Sequence, residues 1–247
     1  MPPTEPMQPG EVRLDLGATY GHYFIPKRDE DRYYAPDLKC HLQLYKRIAF
    51  GLEFYGVARS ESRHGDIPFE LKEDSYTGGD LVFTTWLDLM RRPKDWRSLK
   101  VFARAKVPSA ADTTGSGSDE ADIYFGLTSH WSAAKWNLAS LARFDIVGRP
   151  DQDQWDYLTV ASRASYRQSA HFEVFADGWY RFRSTNETSL LSAGVNWYLE
   201  PDCRLEIAAG DGNHAGFELN PDSRLERQFS MQLVINFHSR RLARWLQ

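Results

Sequence analysis

Residues 229–237 alternate almost without a break between apolar and other side chains. Phe229, Met231, Leu233, Ile235 and Phe237 fall on one face of an extended chain, and Ser230, Gln232 and Asn236 fall on the other, with Val234 as the one apolar exception. A repeat of two residues is the period of a β-strand, not of a helix. This segment therefore predicts a strand with one apolar and one polar face, and the same pattern recurs along most of the chain.

The pattern predicts twelve strands, whose connections alternate in length. The predicted strands are 11–20, 38–45, 50–59, 79–90, 99–107, 121–131, 136–146, 155–167, 171–183, 189–199, 203–210 and 229–237. Short connections, such as 133–135 and 168–170, take turns with long ones, such as 21–37, 60–78 and 211–226. Only the short connection 184–188 breaks the rule. Short turns at one end and long loops at the other are typical of bacterial outer-membrane barrels.

The second face of these strands is often charged, which bears on what each face contacts. A soluble barrel packs its apolar face inward, whereas a membrane barrel turns that face to lipid and its polar face to an aqueous interior. No run approaches the ~20 apolar residues that a spanning helix needs. We therefore expect an all-β, 12-stranded antiparallel transmembrane β-barrel, with short periplasmic turns and longer extracellular loops.

The expected barrel is one domain, spanning residues 11–240, with a flexible N-terminal segment at 1–10 and a C-terminal tail at 241–247. The first nine residues are polar and proline-rich, without the basic and apolar regions of a signal peptide. Since such a barrel must be exported, we expect a bacterial outer-membrane location and a signal already removed. The lipid bilayer and a small-molecule solute are the expected partners. The net charge of −4 argues against nucleic acid.

The inward face of the predicted strands carries the candidate functional residues. Seven are basic and lie on the fifth to ninth strands; four are acidic and lie on the first four. They are Arg104, Lys106, Arg143, Arg163, Arg167, Arg181 and Arg183, and Asp15, Glu53, Asp80 and Asp88. One interpretation is a lumen that selects solutes by charge. The other is a set of ion pairs that cross and plug the lumen, because buried charges persist only when paired.

Residues 77–130 resemble a known family. Thr77-Gly78-Gly79-Asp80-Leu81 opens one strand, 99–108 forms the next, and Gly115-Ser116-Gly117-Ser118-Asp119 leads into 123–127. This order is similar to that of the outer-membrane β-barrel family annotated with the MetA pathway of phenol degradation, and of its uncharacterised relatives. The chain departs from that family at Val107-Pro108-Ser109-Ala110, where the usual turn glycine is missing. The resemblance implies transport, with small hydrophobic or aromatic solutes.

Other functions are open at this stage: a lipid-modifying outer-membrane enzyme, a non-conducting structural barrel and a soluble ligand-binding β-barrel. Catalysis is not expected, because adjacent Ser129 and His130 point to opposite faces of a strand. His41 and the Ser169–His171 turn offer no recognisable nucleophile–base pair either. No cofactor or metal is expected, although Asp112, Asp119, Glu120 and Asp122 lie close together in sequence. Cys40 and Cys203 are expected to be unpaired.

Overall fold

The computed structural model of the chain is built from β-strands. It describes residues 7, 9–25, 28–63, 71–92, 97–108, 121–148, 155–182, 187–200, 203–214 and 224–238. The strands are β1 (Glu11–Ile25), β2 (Arg28–Gln43), β3 (Ile48–Arg63), β4 (Leu71–Gly78), β5 (Leu81–Arg92), β6 (Arg97–Val107), β7 (Asp122–Ala133), β8 (Trp136–Val147), β9 (Trp155–Arg167), β10 (Phe172–Phe182), β11 (Glu187–Glu200), β12 (Cys203–His214) and β13 (Arg224–His238). No helix in these ranges is long and apolar enough to cross a membrane.

One antiparallel sheet contains all thirteen strands, in the order β2-β1-β13-β12-β11-β10-β9-β8-β7-β6-β5-β3-β4. An additional pairing joins β2 to β3. β4 and β5 pair with successive parts of β3: Gly56 to Arg63 face β4, and Ile48 to Glu53 face β5. The all-β antiparallel fold that the alternation predicted is therefore confirmed.

The three longest predicted loops are wrong in part, because strands extend into them. In the loop predicted at 211–226, β12 continues to His214 and β13 starts at Arg224. The loop predicted at 21–37 is mostly strand, since β1 continues to Ile25 and β2 starts at Arg28. In the loop predicted at 60–78, β3 continues to Arg63 and residues 71–78 form β4. The sequences of 28–37 and 71–78 carry many charges and do not alternate regularly, so the pattern that indicated the other strands is missing from them.

The two faces of the sheet have opposite characters, and the apolar one is outermost. Leu16, Phe83, Phe125, Leu127, Leu138, Phe144, Leu158 and Trp197 are all exposed on the outer face. Their neighbours in sequence point inward: Asp15, Thr84 and Thr159 are buried. A soluble protein buries its large apolar side chains and exposes its charges. The sheet has the reverse arrangement, as the alternation predicted.

Short connections join strands at one end of the sheet. The β7–β8 hairpin turns through Ala134 and Lys135, with Ala134 at a φ of 52°. A two-residue hairpin favours this left-handed backbone at its first central residue, where glycine is the usual choice. Residues 168–171 form the equivalent turn between β9 and β10, closed by hydrogen bonds from the N–H groups of Gln168 and Ser169 to the Phe172 carbonyl.

The described residues before β1 pack against the sheet. Met7 is buried, and the N–H of Gly10 donates to the carbonyl of Gln43. The predicted C-terminal tail at 241–247 lies outside the described residues. Cys40 and Cys203 are both free and partly buried. The assignment of 1–10 as flexible and 11–240 as one barrel domain stays a prediction.

Candidate functional site: the charged interior

The inner face of the sheet carries a dense set of charged side chains, and most of them are paired. Lys106 on β6 lies between two carboxylates, with its Nζ 2.6 Å from Asp122 Oδ2 and 3.6 Å from Asp80 Oδ2. The hydroxyl of Tyr124 also donates to Asp122, at 2.8 Å. All three charged groups are buried. Since an unpaired buried charge is costly, this cluster is held together by mutual neutralisation.

Two further predicted acids are paired to bases nearby. Asp88 lies 3.6 Å from Lys100 Nζ on the neighbouring strand β6. Asp15 accepts two hydrogen bonds from Arg13 of its own strand, at 2.8 and 3.3 Å. The Nε2 of His41 lies 3.9 Å from the same carboxylate. Residues two apart in a strand share a face, which is why Arg13 reaches Asp15.

One of the predicted basic residues, Arg104, pairs with one of the predicted acidic residues, Glu53. The guanidinium of Arg104 donates to Glu53 at 3.0 Å, which joins β6 to β3. Arg143 makes a two-bond contact with Asp145 of its own strand, at 2.5 Å from Nε and 2.9 Å from Nη2. Arg181 on β10 lies farther from that carboxylate, at 3.6 Å.

Arg163 is the centre of a second cluster. It donates to Asp177 on β10 at 2.8 and 2.5 Å, and to both oxygens of Glu206 on β12 at 3.0 Å. The hydroxyl of Ser192 donates a hydrogen bond to the other carboxylate oxygen of Asp177. The guanidinium also lies over the Phe175 ring, 4.1 Å from its centroid. Arg163 thus links β9 to β10 and β12, and Ser192 adds β11 to the same cluster.

The last two predicted bases differ from the rest. Arg167 is exposed at the short-turn end of β9, with its guanidinium 4.1 Å from the centroid of the Tyr198 ring. Arg183 lies outside the described residues.

Acidic side chains therefore also lie among the predicted basic residues. Asp122, Asp145, Asp177 and Glu206 pair with Lys106, Arg143 and Arg163. The selection of candidate residues left out these acids, although the alternation places them on the inner face. Their importance emerges only when strand register brings them against particular bases.

Apolar side chains also lie on the inner face, and no pattern in the sequence indicated their role. Trp86 and Phe102 are buried and pack with Ala49, and Leu141 contacts the same cluster. Phe102 lies against Gly126, where a Cβ atom would come within 2.7 Å of its ring. An aromatic ring laid over a glycine covers exposed backbone and lets the wall curve.

The histidine and serine candidates show no catalytic arrangement. Ser129 is exposed on the outer face and His130 is buried on the inner one, so the two cannot form a dyad. The Nδ1 of His171 lies 3.1 Å from the Tyr198 carbonyl oxygen. The backbone N–H of His171 donates to Ser169 Oγ. The ring of His41 packs against Trp86 at a tilt of 55°, with 5.3 Å between the ring centroids.

No group of three or more metal-ligating side chains occurs in the described ranges. Asp112, Asp119 and Glu120 lie outside those ranges. Asp122 is the fourth member of that sequence cluster. Its carboxylate pairs with Lys106 and accepts a hydrogen bond from the backbone N–H of Gly148 at 3.1 Å.

Comparison with known proteins places the fold among outer-membrane β-barrels. No protein-family profile and no curated protein sequence matches the chain. The COG4313 outer membrane channel from Pseudomonas putida F1 superimposes with a TM-score of 0.73 at 12% identity, covering 96% of this chain and 99% of that one. The NanC porin gives 0.57 at 10% identity (89% and 98% covered). The CymD monoaromatic hydrocarbon channel gives 0.52 at 10% identity (94% and 90% covered). The fold agrees with the predicted bacterial outer-membrane location.

Proposed function

We propose that the chain forms a closed barrel in a bacterial outer membrane and lets small solutes pass through it without an energy source. Closure is supported by β2, which pairs with β1 on one side and β3 on the other. β4 and β5 pair with successive parts of the same strand, β3. Counted together they take one place around the ring, so the thirteen strands make a barrel of twelve positions. An open sheet edge in lipid would leave backbone groups unpaired, at a cost of several kcal/mol each.

The observation that carries the proposal is the inverted placement of polar and apolar side chains. Leu127 is 45% exposed and Leu158 is 46% exposed, whereas Asp80 and Asp145 are fully buried. This arrangement is stable when lipid surrounds the outside and the interior is polar. Similarity to solved structures described as channels gives further support, and the resemblance of residues 77–130 adds hydrophobic or aromatic solutes as the candidate cargo.

The selectivity proposed for the lumen rests on its basic residues, Arg104, Lys106, Arg143, Arg163, Arg167, Arg181 and Arg183, facing the acids Asp15, Glu53, Asp80 and Asp88. Rings of charged side chains control which ions enter a pore. The experiment is to reconstitute the protein in planar bilayers and record its conductance and reversal potential. Replacing Arg143, Arg163 and Arg181 together by glutamine should shift the preference toward cations. Lys135→Gln, in the exposed β7–β8 turn, is the control that changes the charge outside the lumen.

A second candidate function, a non-conducting structural barrel, is favoured by the ion pairs themselves. Arg163 bridges two carboxylates, and Lys106 does the same. These bridges join nearby strands along the inner face, where the paired side chains neutralise one another and occupy space that a solute would need. Under this alternative the reconstituted protein has no conductance above the bare bilayer, and the triple variant changes stability without changing any current.

An enzymatic function is not proposed. The separation of Ser129 from His130 on opposite faces of β7 supports this view. An assay for phospholipid hydrolysis, with and without calcium, tests it: the protein is expected to release no fatty acid.

A further inference from the structure

The carboxylate of Asp145 lies near two arginines, and Arg143 is closer to it than Arg181. Its Oδ1 accepts from Arg143 Nε at 2.5 Å. Its Oδ2 accepts from Arg143 Nη2 at 2.9 Å and from the hydroxyl of Thr159 at 2.8 Å. The Nη2 of Arg181 lies 3.6 Å from the same oxygen. That distance exceeds the 2.7–3.2 Å typical of an N–H···O hydrogen bond, so Arg143 and Thr159 already satisfy the carboxylate.

Arg181 is therefore held mainly by contacts to its faces. Its guanidinium lies 5.0 Å from the centroid of the Tyr157 ring and 5.8 Å from that of Trp179. Its hydrogen bond from Nε to Thr159 is long, at 3.4 Å. The side chain is 25% exposed to the interior. Stacking on rings leaves the edge of a guanidinium, with its N–H donors, available to bind an anion.

The surroundings of Arg181 are apolar on one side. Trp179 lies two residues before it on the same face of β10 and packs against Leu190 of β11. Leu190 is buried, with 7% of its surface exposed. A cationic edge beside an indole ring, which itself packs on a buried leucine, suits a ligand that has one anionic end and one apolar planar end.

Arg143, the other arginine near Asp145, also lies over an aromatic ring. Arg143 lies 4.8 Å from the centroid of the Tyr124 ring, and Arg104 lies 5.6 Å from that ring. Arg104 is paired with Glu53. Among the residues that the structure describes, Arg143 and Arg181 share the one carboxylate of Asp145, so these two guanidiniums carry one charge more than that carboxylate balances.

We propose that Arg181, next to Trp179 and Leu190, is the binding site in the lumen for the carboxylate of a small aromatic acid. The carboxylate lies against the guanidinium edge and balances the surplus charge, and the aromatic body packs on Trp179. Charge-assisted hydrogen bonds from arginine to a carboxylate are among the stronger polar contacts in proteins. This inference rests on the proposed channel function, because it names a class of solute for that lumen.

The test uses the refolded full-length protein in detergent micelles, with sodium benzoate as the probe and equilibrium dialysis as the measurement. Wild-type protein is expected to bind benzoate saturably and to leave benzamide, its neutral analogue, unbound. Arg181→Gln should weaken benzoate binding at least tenfold. Arg181→Lys, which keeps the charge but loses the planar fork, should weaken it by a smaller factor. Lys135→Gln, which removes a charge outside the lumen, should bind as wild type does.

Folding is not expected to confound the test, because Asp145 keeps Arg143 and Thr159 in the Arg181→Gln variant. Unchanged heat-modifiable migration of that variant on a gel checks this. No saturable benzoate binding by wild type, or equal binding by Arg181→Gln, would overturn the inference. Conductance in planar bilayers tests the channel separately: current without benzoate binding refutes this site alone, and binding without current refutes passage through the lumen.

Discussion

Leucines at different depths on the outer face should respond very differently to the same substitution. Leu127 and Leu199 have nearly equal exposure, 45% and 46%. Leu127 is the sixth of the 12 residues of β7, whereas Leu199 is the last but one of β11. A strand tilted by ~40° advances about 2.6 Å per residue along the membrane normal. Leu127 is therefore near the middle of the ~25 Å apolar band, and Leu199 is near its edge.

The expected costs follow from those depths. Leu127→Arg should destabilise the folded protein by ~2–4 kcal/mol, because its charge enters the centre of the hydrocarbon. Leu199→Arg should cost about 0–1 kcal/mol, because its charge reaches the interface. If water surrounded this face, both leucines would be ordinary exposed residues and both changes would stay within about 0.5 kcal/mol.

The assay is reversible urea unfolding of the protein in phospholipid vesicles, followed by tryptophan fluorescence. Free energies of unfolding for wild type and the two variants come from the same titration. A Leu127→Arg cost equal to that of Leu199→Arg, or a neutral effect of both, would refute the assignment of the outer face to lipid.

Three more predictions use the same unfolding titration. Asp145→Asn should cost ~3–5 kcal/mol, because it removes a fully buried carboxylate that neutralises the partly buried Arg143; a loss below 1 kcal/mol would mean that water neutralises the site. Gly126→Ala should cost ~1–3 kcal/mol, since its Cβ would come within 2.5 Å of the Ala142 carbonyl oxygen, whereas Gly178→Ala, with its nearest atom at 3.3 Å, should cost clearly less. Ala134→Gly should stabilise by about 1 kcal/mol, because alanine is disfavoured at a φ of 52°; no gain would show that the turn carries no such penalty.

Sequence alternation predicted the parts of the fold where each strand meets two different environments. Leu158 and Thr159 illustrate this, because neighbours in the chain have 46% and 5% exposure. The charged run from Arg28 to Arg32 was missed as strand. Its sequence does not alternate, so only its pairing with β1 and β3 reveals the strand.

The candidate site was predicted less completely, for a different reason. That Arg163 points inward follows from its own strand. That it binds Glu206, 43 residues away, depends on the stagger between β9 and β12. Register across several strands is set by the whole sheet, so no local pattern encodes it. The same holds for Phe102 against Gly126, where the partner is on the next strand.

The order of turns places Arg181 at a definite end of the sheet. The short turn at 168–171 joins β9 to β10, and β10 runs from Phe172 to Phe182. Arg181 lies about nine residues beyond the start of that strand, or roughly 23 Å at about 2.6 Å per residue. Arg163 lies nearer the middle, since it pairs in register with Asp177. A solute that enters from the end opposite the short turns therefore meets the guanidinium of Arg181 before it meets that of Arg163.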